Sequence, residues 1–200
     1  MAKLLYQGHG SFRVESEAGT VIYFDPYAGE GYDKPAHFIL ITHQHSDHNQ
    51  VAMVPKTSNC RVITWEDALA GGEQQTLTLE HGSDTLVVEA VEAGNENHDP
   101  SQCVGYILTI DDVSIYGAGD TSRTGEMETM RTRKLDYALL PADGVYNMDL
   151  DEAMECALVI GARHTIPIHL KPGALFSRER AEKFNVPGRL ILEPGQEITL

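Results

Sequence analysis

The stretch Phe38-Ile39-Leu40-Ile41-Thr42-His43-Gln44-His45-Ser46-Asp47-His48 constrains this chain more than any other. Its four leading apolar residues read as a short strand covered on both faces, as found inside a sheet backed by further layers. Three histidines and an aspartate follow within six positions. In extended backbone His43 and His45 point the same way, so both imidazoles reach one point beyond the strand's carboxyl end. A turn after Ser46 into a short helix over residues 47–54, stopped by Pro55, swings Asp47 and His48 toward a second point nearby. A lone HxH carries little information. Four ligand-type residues in HxHxDH order behind an apolar strand point to metal.

Three further donors stand at expected strand ends. His98 lies in the loop after a strand over residues 85–93. Asp120 follows Ser114-Ile115-Tyr116-Gly117-Ala118-Gly119, where glycine lets backbone approach a pocket closely. His169 follows Thr165-Ile166-Pro167-Ile168. Five histidines and two carboxylates suit two divalent ions about 3.5–4 Å apart. His43, His45 and His98 hold one ion, Asp47, His48 and His169 the other, and Asp120 bridges. Nitrogen and oxygen donors without thiolate fit zinc first, with manganese and iron as the alternatives. Asp25, also at a strand end, suits either an acceptor that orients a ligand imidazole or an ordinary turn before proline.

Length and charge bound what such a centre serves. Two hundred residues suit one domain over residues 1–200. Thirty acidic against fifteen basic side chains give a net charge of −15, which disfavours nucleic acid or an anionic membrane as partner. A small-molecule substrate is expected, an anionic one included, because two divalent ions reverse the sign inside one pocket. No apolar run approaches the roughly 20 residues needed to span a bilayer, and no leader is visible, so the cytoplasm is the expected compartment. Cys60, Cys103 and Cys156 are odd in number and far apart, which argues against a disulfide framework or a thiolate zinc site. Nothing in the pattern fixes an oligomeric state.

Elements follow from residue pattern. Strands are expected over residues 3–6, 11–15, 20–24, 61–64, 76–80, 85–93, 104–110, 113–116, 135–140, 164–168, 189–192 and 197–200. Helical patterns cover residues 66–70, 124–134 and 150–160, with Ser177 capping a charged helix that runs to about Phe184. Early strands followed by helix–strand alternation suggest two sheets in an α/β chain, each with helix on its outer face.

In order and spacing these motifs resemble the metallo-β-lactamase fold superfamily: His43-Gln44-His45-Ser46-Asp47-His48, then His98, Gly119-Asp120 and His169. Gly8-His9-Gly10-Ser11-Phe12, Ile22-Tyr23-Phe24-Asp25-Pro26 and Ile166-Pro167-Ile168-His169 look most like its small cytosolic hydrolase branch, which includes proteins related to ascorbate-6-phosphate lactonase. The resemblance implies a four-layer αβ/βα sandwich of two mixed sheets flanked by helices, with the metals at one edge. It also places His9 near the site. Asn97-His98-Asp99 departs from the Gly-His-Thr-x-Gly setting of glyoxalase-II-like thioesterases. His45 stands where flavodiiron oxygen reductases have an acidic ligand, and no insert matches the clamp of the nucleic-acid-processing branch.

The expected activity is dinuclear metal-dependent hydrolysis of an ester, lactone or phosphoester by a metal-bridging hydroxide, its pKa lowered toward about 7. Asp47, His169 and Lys171 are the catalytic candidates, Lys171 as a contact for a substrate anion, with Tyr146 and Asn147 as further contacts. The alternatives are a non-catalytic metal- or ligand-binding protein of the same fold and a metal-dependent nuclease or phosphodiesterase.

Overall fold

The computed structural model describes all residues from Met1 to Leu200. Strands β1 (Lys3–Gly8), β2 (Ser11–Glu15), β3 (Val21–Phe24), β4 (Ala36–Leu40) and β5 (Lys56–Ile63) form one sheet. Strands β6 (Thr76–His81), β7 (Asp84–Glu92), β8 (Val104–Ile110), β9 (Val113–Gly117), β10 (Tyr137–Pro141) and β11 (His164–Ile168) form the other. The chain then returns, and β12 (Glu197–Thr199) joins the first sheet beside β1.

The two sheets repeat one plan. In each, three antiparallel pairings are followed by two parallel ones: β3–β4–β5 in the first sheet, β9–β10–β11 in the second. Parallel strands carry their carboxyl ends to a common edge, which is where open α/β sheets place ligands. They are also covered on both faces, and β3 (VIYF) and β10 (YALLP) are buried at every position.

Alternation along the strands sorts side chains between layers. Ile22, Phe24 and Leu40 point inward and meet Leu86, Val88, Tyr106 and Leu139 between the sheets. Burying each such side chain contributes about 2 kcal/mol. On the outer face of the second sheet, Ile107, Tyr116, Ala138 and Leu140 pack under helices.

There are four α-helices: α1 (Trp65–Ala68), α2 (Met127–Met130), α3 (Leu150–Ile160) and α4 (Arg178–Lys183). Helix α3 has the bounds its apolar stripe predicts. Asp149 caps it by accepting from the Glu152 N–H, and Gly161 ends it in a left-handed conformation.

The first sheet is covered differently. Val21, Tyr23, Ile39 and Ile41 on its outer face pack against Tyr32, Val51 and Val54, which belong to loops and a 3-10 turn. The helix expected over residues 47–54 is a turn at Ser46–His48 followed by a single 3-10 turn, Val51–Met53. Polar side chains divert the backbone there: Asn49 Nδ2 donates to the Gln44 carbonyl and Gln50 Nε2 to the Ser46 carbonyl.

Other expectations shrink. The helix over residues 124–134 is reduced to α2 and the 3-10 turn Arg131–Arg133. Ser177 precedes α4 without a side-chain cap. Residues 189–192 make only a bridge between Arg189 and Thr165. No helix is long and apolar enough to cross a membrane.

Candidate metal centre

Five strands deliver the site residues from their carboxyl ends. Asp25 follows β3, Thr42 and His43 follow β4, Asp120 follows β9, the newly found Asp143 follows β10, and His169 follows β11. Three non-glycine residues here hold positive φ: His9 at 56°, Asp25 at 42° and His169 at 43°. Left-handed backbone costs about 1–3 kcal/mol per residue and persists only where the surroundings over-determine it. Tyr6 Oη donates to the His9 carbonyl at 2.9 Å, and that carbonyl also accepts from the His169 N–H at 2.9 Å. The ends of β1 and β11 are thereby tied across the two sheets.

Four imidazoles are pinned at Nδ1, each by a different group. His48 Nδ1 donates to Asp25 Oδ2 at 2.9 Å. Thr42 Oγ1 donates to the same oxygen at 2.6 Å and so offers its lone pair to His43 Nδ1 at 3.0 Å. His98 Nδ1 donates to Asn95 Oδ1 at 2.9 Å. His169 Nδ1 stands 2.9 Å from Asp143 Oδ2, in a bent contact. With one proton held at Nδ1, the Nε2 of each ring faces the centre, the usual device for orienting a ligand histidine.

These Nε2 atoms converge on Asp120. His98 Nε2 lies 3.1 Å and His169 Nε2 3.4 Å from Asp120 Oδ2, and His48 Nε2 lies 3.2 Å from Oδ1. His43 Nε2 is 3.9 Å from Oδ2. Yet Nε2 of His43, His48 and His169 and Oδ1 of Asp120 are buried without a hydrogen-bond partner. Buried polar atoms are rarely left so, because each costs about 1–3 kcal/mol. Donor atoms of His43, His45 and His98 lie within 4.8 Å of one another, as do those of His9, Asp47, His48 and His169. Separations of that size suit first contacts around a cation.

Electrostatics divides the rings. Burial, then His48, push His43 down to about 2. Burial also opposes charge on His169, but Asp120 and contacts with Asp143 and Asp47 overcome it and raise the ring to about 9. His48 is raised as well, since Asp120 and Asp25 outweigh its burial. Asp120 is held well below the usual carboxylate range: burial works against its charge, and His48 and His169 win.

Gly119 allows this approach. Its φ is +64°, and a Cβ there would stand 2.8 Å from both Cβ and Oγ1 of Thr42. Gly119→Ala is expected to cost about 3 kcal/mol in urea unfolding, strain and overpacking together. Unchanged stability would contradict this account of the turn.

His9 and Asp47 form the rim. His9 is buried, its ring centroid 3.6 Å from that of His169, with Nε2 at 3.0 Å from Asp47 Oδ2 and Nδ1 at 3.1 Å from the Ala174 carbonyl. Asp47 is 34% exposed and opens with His45, Ser46, Tyr27 and Tyr146 onto a cavity of about 480 Å³. Lys171 is exposed and lines neither this cavity nor the one beside it. The structure brings the seven expected donors together at the strand ends and leaves Lys171 outside both cavities. Sequence reasoning missed Asp143, Asn95 and Thr42. Asp143 sits at a strand end behind Pro141-Ala142, the same kind of position as Asp25 and Asp120, and that position was its signal.

Two mixed sheets with a buried His/Asp centre across their strand ends define the metallo-β-lactamase fold. A family model described as the Beta-lactamase superfamily domain matches residues 3–169, and the chain belongs to that family. A metal-dependent hydrolase of Methanoculleus marisnigri is 31% identical over 188 residues, 84% of this chain and 80% of that one. One from Pyrococcus furiosus is 28% identical over 227 residues, spanning 100% of both chains. Among solved structures, Igni18, a metallo hydrolase from Ignicoccus hospitalis, shares the fold with a TM-score of 0.75 at 23% identity, over 98% of this chain and 97% of that one.

Proposed function

We propose that the chain is a dinuclear metal-dependent hydrolase that opens an ester, lactone or phosphoester bond. The buried, unpartnered Nε2 atoms of His43, His48 and His169 around Asp120 carry this reading. The description of the relatives as metal-dependent hydrolases supports it. His43, His45 and His98 would hold one ion, Asp47, His48 and His169 the other, and Asp120 both. Nitrogen and oxygen donors without sulfur suit zinc, manganese or iron. Two such ions, when bound, supply Lewis acidity and a water acidified toward a pKa of about 7.

The chain's own groups do the rest. Asp25, Thr42 and Asn95 accept from three of the imidazoles at Nδ1 and Asp143 stands 2.9 Å from the fourth, so the rings are already oriented toward the centre. His9 fixes Asp47 through Oδ2 at 3.0 Å. Asp47, partly exposed at the cavity floor, is the protein group placed to receive a proton and pass it to a leaving group. Lys171 has no part in this scheme.

Elemental analysis of metal-replete protein is expected to give about two transition-metal ions per chain. Chelation is expected to abolish turnover on a panel of lactones, thioesters and phosphodiesters, and zinc, manganese or iron(II) to restore it. No more than one ion in replete protein would sink the dinuclear reading. Full turnover by metal-free protein would sink the hydrolytic one.

A further inference from the structure

Two cavities flank the ridge of His45, Asn97 and His98. The larger, about 480 Å³, holds Tyr27 and Tyr146; the smaller, about 260 Å³, holds Gln44, Trp65 and Gln102. Neither is lined by a lysine or an arginine, whereas Asp47 and Asp120 face one and Asp99 the other. A third pocket, behind Tyr146, adds Glu96 and again no base. Two arginines near these pockets make contacts of their own, and Lys171 is exposed outside both cavities. Arg180 Nη2 donates to the Ala142 carbonyl at 2.6 Å, and Arg123 pairs with Glu128.

Charge at the centre points the same way. Asp25, Asp47, Asp120 and Asp143 bring four carboxylates to the donor cluster. They match the four positive charges of two divalent ions, so a loaded centre offers no surplus of positive charge to a remote anion. The chain's net charge of −15 adds a repulsive field around it. Recognition of a phosphate normally uses arginine forks or lysine ammonium groups, and none lines these cavities.

What the walls do offer is neutral and amphipathic. Gln44, Asn97 and Gln102 present amides, and Tyr27, Tyr146 and Trp65 present ring faces with a polar atom at one end. Tyr146 is built to be met by a ligand. Its N–H donates to Asp143 Oδ1 at 2.7 Å and its carbonyl accepts from Asn95 Nδ2 at 2.9 Å, while the residue stays 50% exposed. The backbone is clamped and the phenol is free. Resting on the hydrolytic reading above, we infer that the substrate is an uncharged, hydroxyl-bearing ester or lactone, and that phosphorylated counterparts are rejected. This narrows the small-molecule, anion-tolerant expectation drawn from sequence.

The test uses zinc-loaded full-length protein and a matched pair, gluconolactone and 6-phosphogluconolactone, with the ring analogue 1,5-anhydroglucitol and its 6-phosphate as ligands that need no turnover. Calorimetric binding of the uncharged analogue is expected to be at least about tenfold tighter than that of its phosphate, the like-charge penalty deciding. The kcat/KM ratio of the lactones should favour the uncharged one similarly. Gln102→Arg, at an exposed position on the smaller cavity, should narrow both ratios. Tyr146→Ala should weaken binding of the uncharged analogue. Equal or tighter binding of the phosphorylated analogue, or binding of neither, overturns the inference. Turnover of neither lactone with the binding preference intact counts against the hydrolytic reading and leaves the charge preference standing.

Discussion

Asp120→Ala is expected to lower hydrolysis by about a thousandfold or more and to empty both ion positions, while His98→Ala mainly weakens one. The thousandfold figure corresponds to about 4 kcal/mol of transition-state stabilisation, within what metal polarisation supplies. Asp120 is 3% exposed and touches donors of both groups, His98 on one side and His48 and His169 on the other. Asp25 also lies within 4.8 Å of donor atoms of His43 and His48, but it meets His48 at Nδ1, not at the Nε2 that faces Asp120. Removal of Asp120 also strips His48 and His169 of a charge that holds their protons in the metal-free protein. Metal stoichiometry after dialysis against a weak chelator distinguishes the two variants. Equal losses would argue against a bridging position for Asp120.

The metal-free protein is expected to lose about 3 kcal/mol of stability between pH 6.5 and pH 9.5, and metal is expected to remove that loss. The His169 ring, raised from 6.5 to about 9, contributes stability that is complete below its ordinary value and vanishes as pH rises through the raised one. His48 is displaced in the same direction and adds to the alkaline limb. The acid limb has other owners. His43, held neutral down to about 2, and Asp120, held ionised, both favour the fold less as pH falls below their ordinary ranges. Bound ions replace the protons on His48 and His169, so loaded protein should show no such alkaline decline and should release protons on uptake. Urea unfolding of chelated and loaded protein at the two pH values reads this directly. Chelated protein that is no less stable at the higher pH would refute it.

The chemistry of this site lay open in the sequence because strands end where polarity changes abruptly. His43, Asp120 and His169 each follow a run whose apolar residues fill buried strands, so the polar residue after each run had to emerge at the common edge. Both β11 and α3 fall at the residues their patterns indicate. The segment after His48 was illegible for a tertiary reason. His48 is drawn inward to Asp25, twenty-three residues earlier, and Asn49 and Gln50 bond local carbonyls, so helical propensity loses. Asp143 was hidden because its work is at a distance: no local pattern links it to a histidine twenty-six residues later. Lys171 lies outside both cavities although it is two residues from His169, because closeness in sequence says nothing about direction once His169 takes a left-handed backbone.

The repeated plan of the two sheets has a mechanical corollary. Each expected trio of donors draws two members from the loop after β4 of the first sheet and one from a loop of the second: His43 and His45 with His98, Asp47 and His48 with His169. Neither sheet owns a finished seat. An ion that settles there would rivet one sheet to the other at the rim of their shared core, alongside the backbone ties from His169 to His9 and from Val104 to Thr42. Opening that seam by even a small hinge would discard the ions while leaving each sheet's own ladder intact.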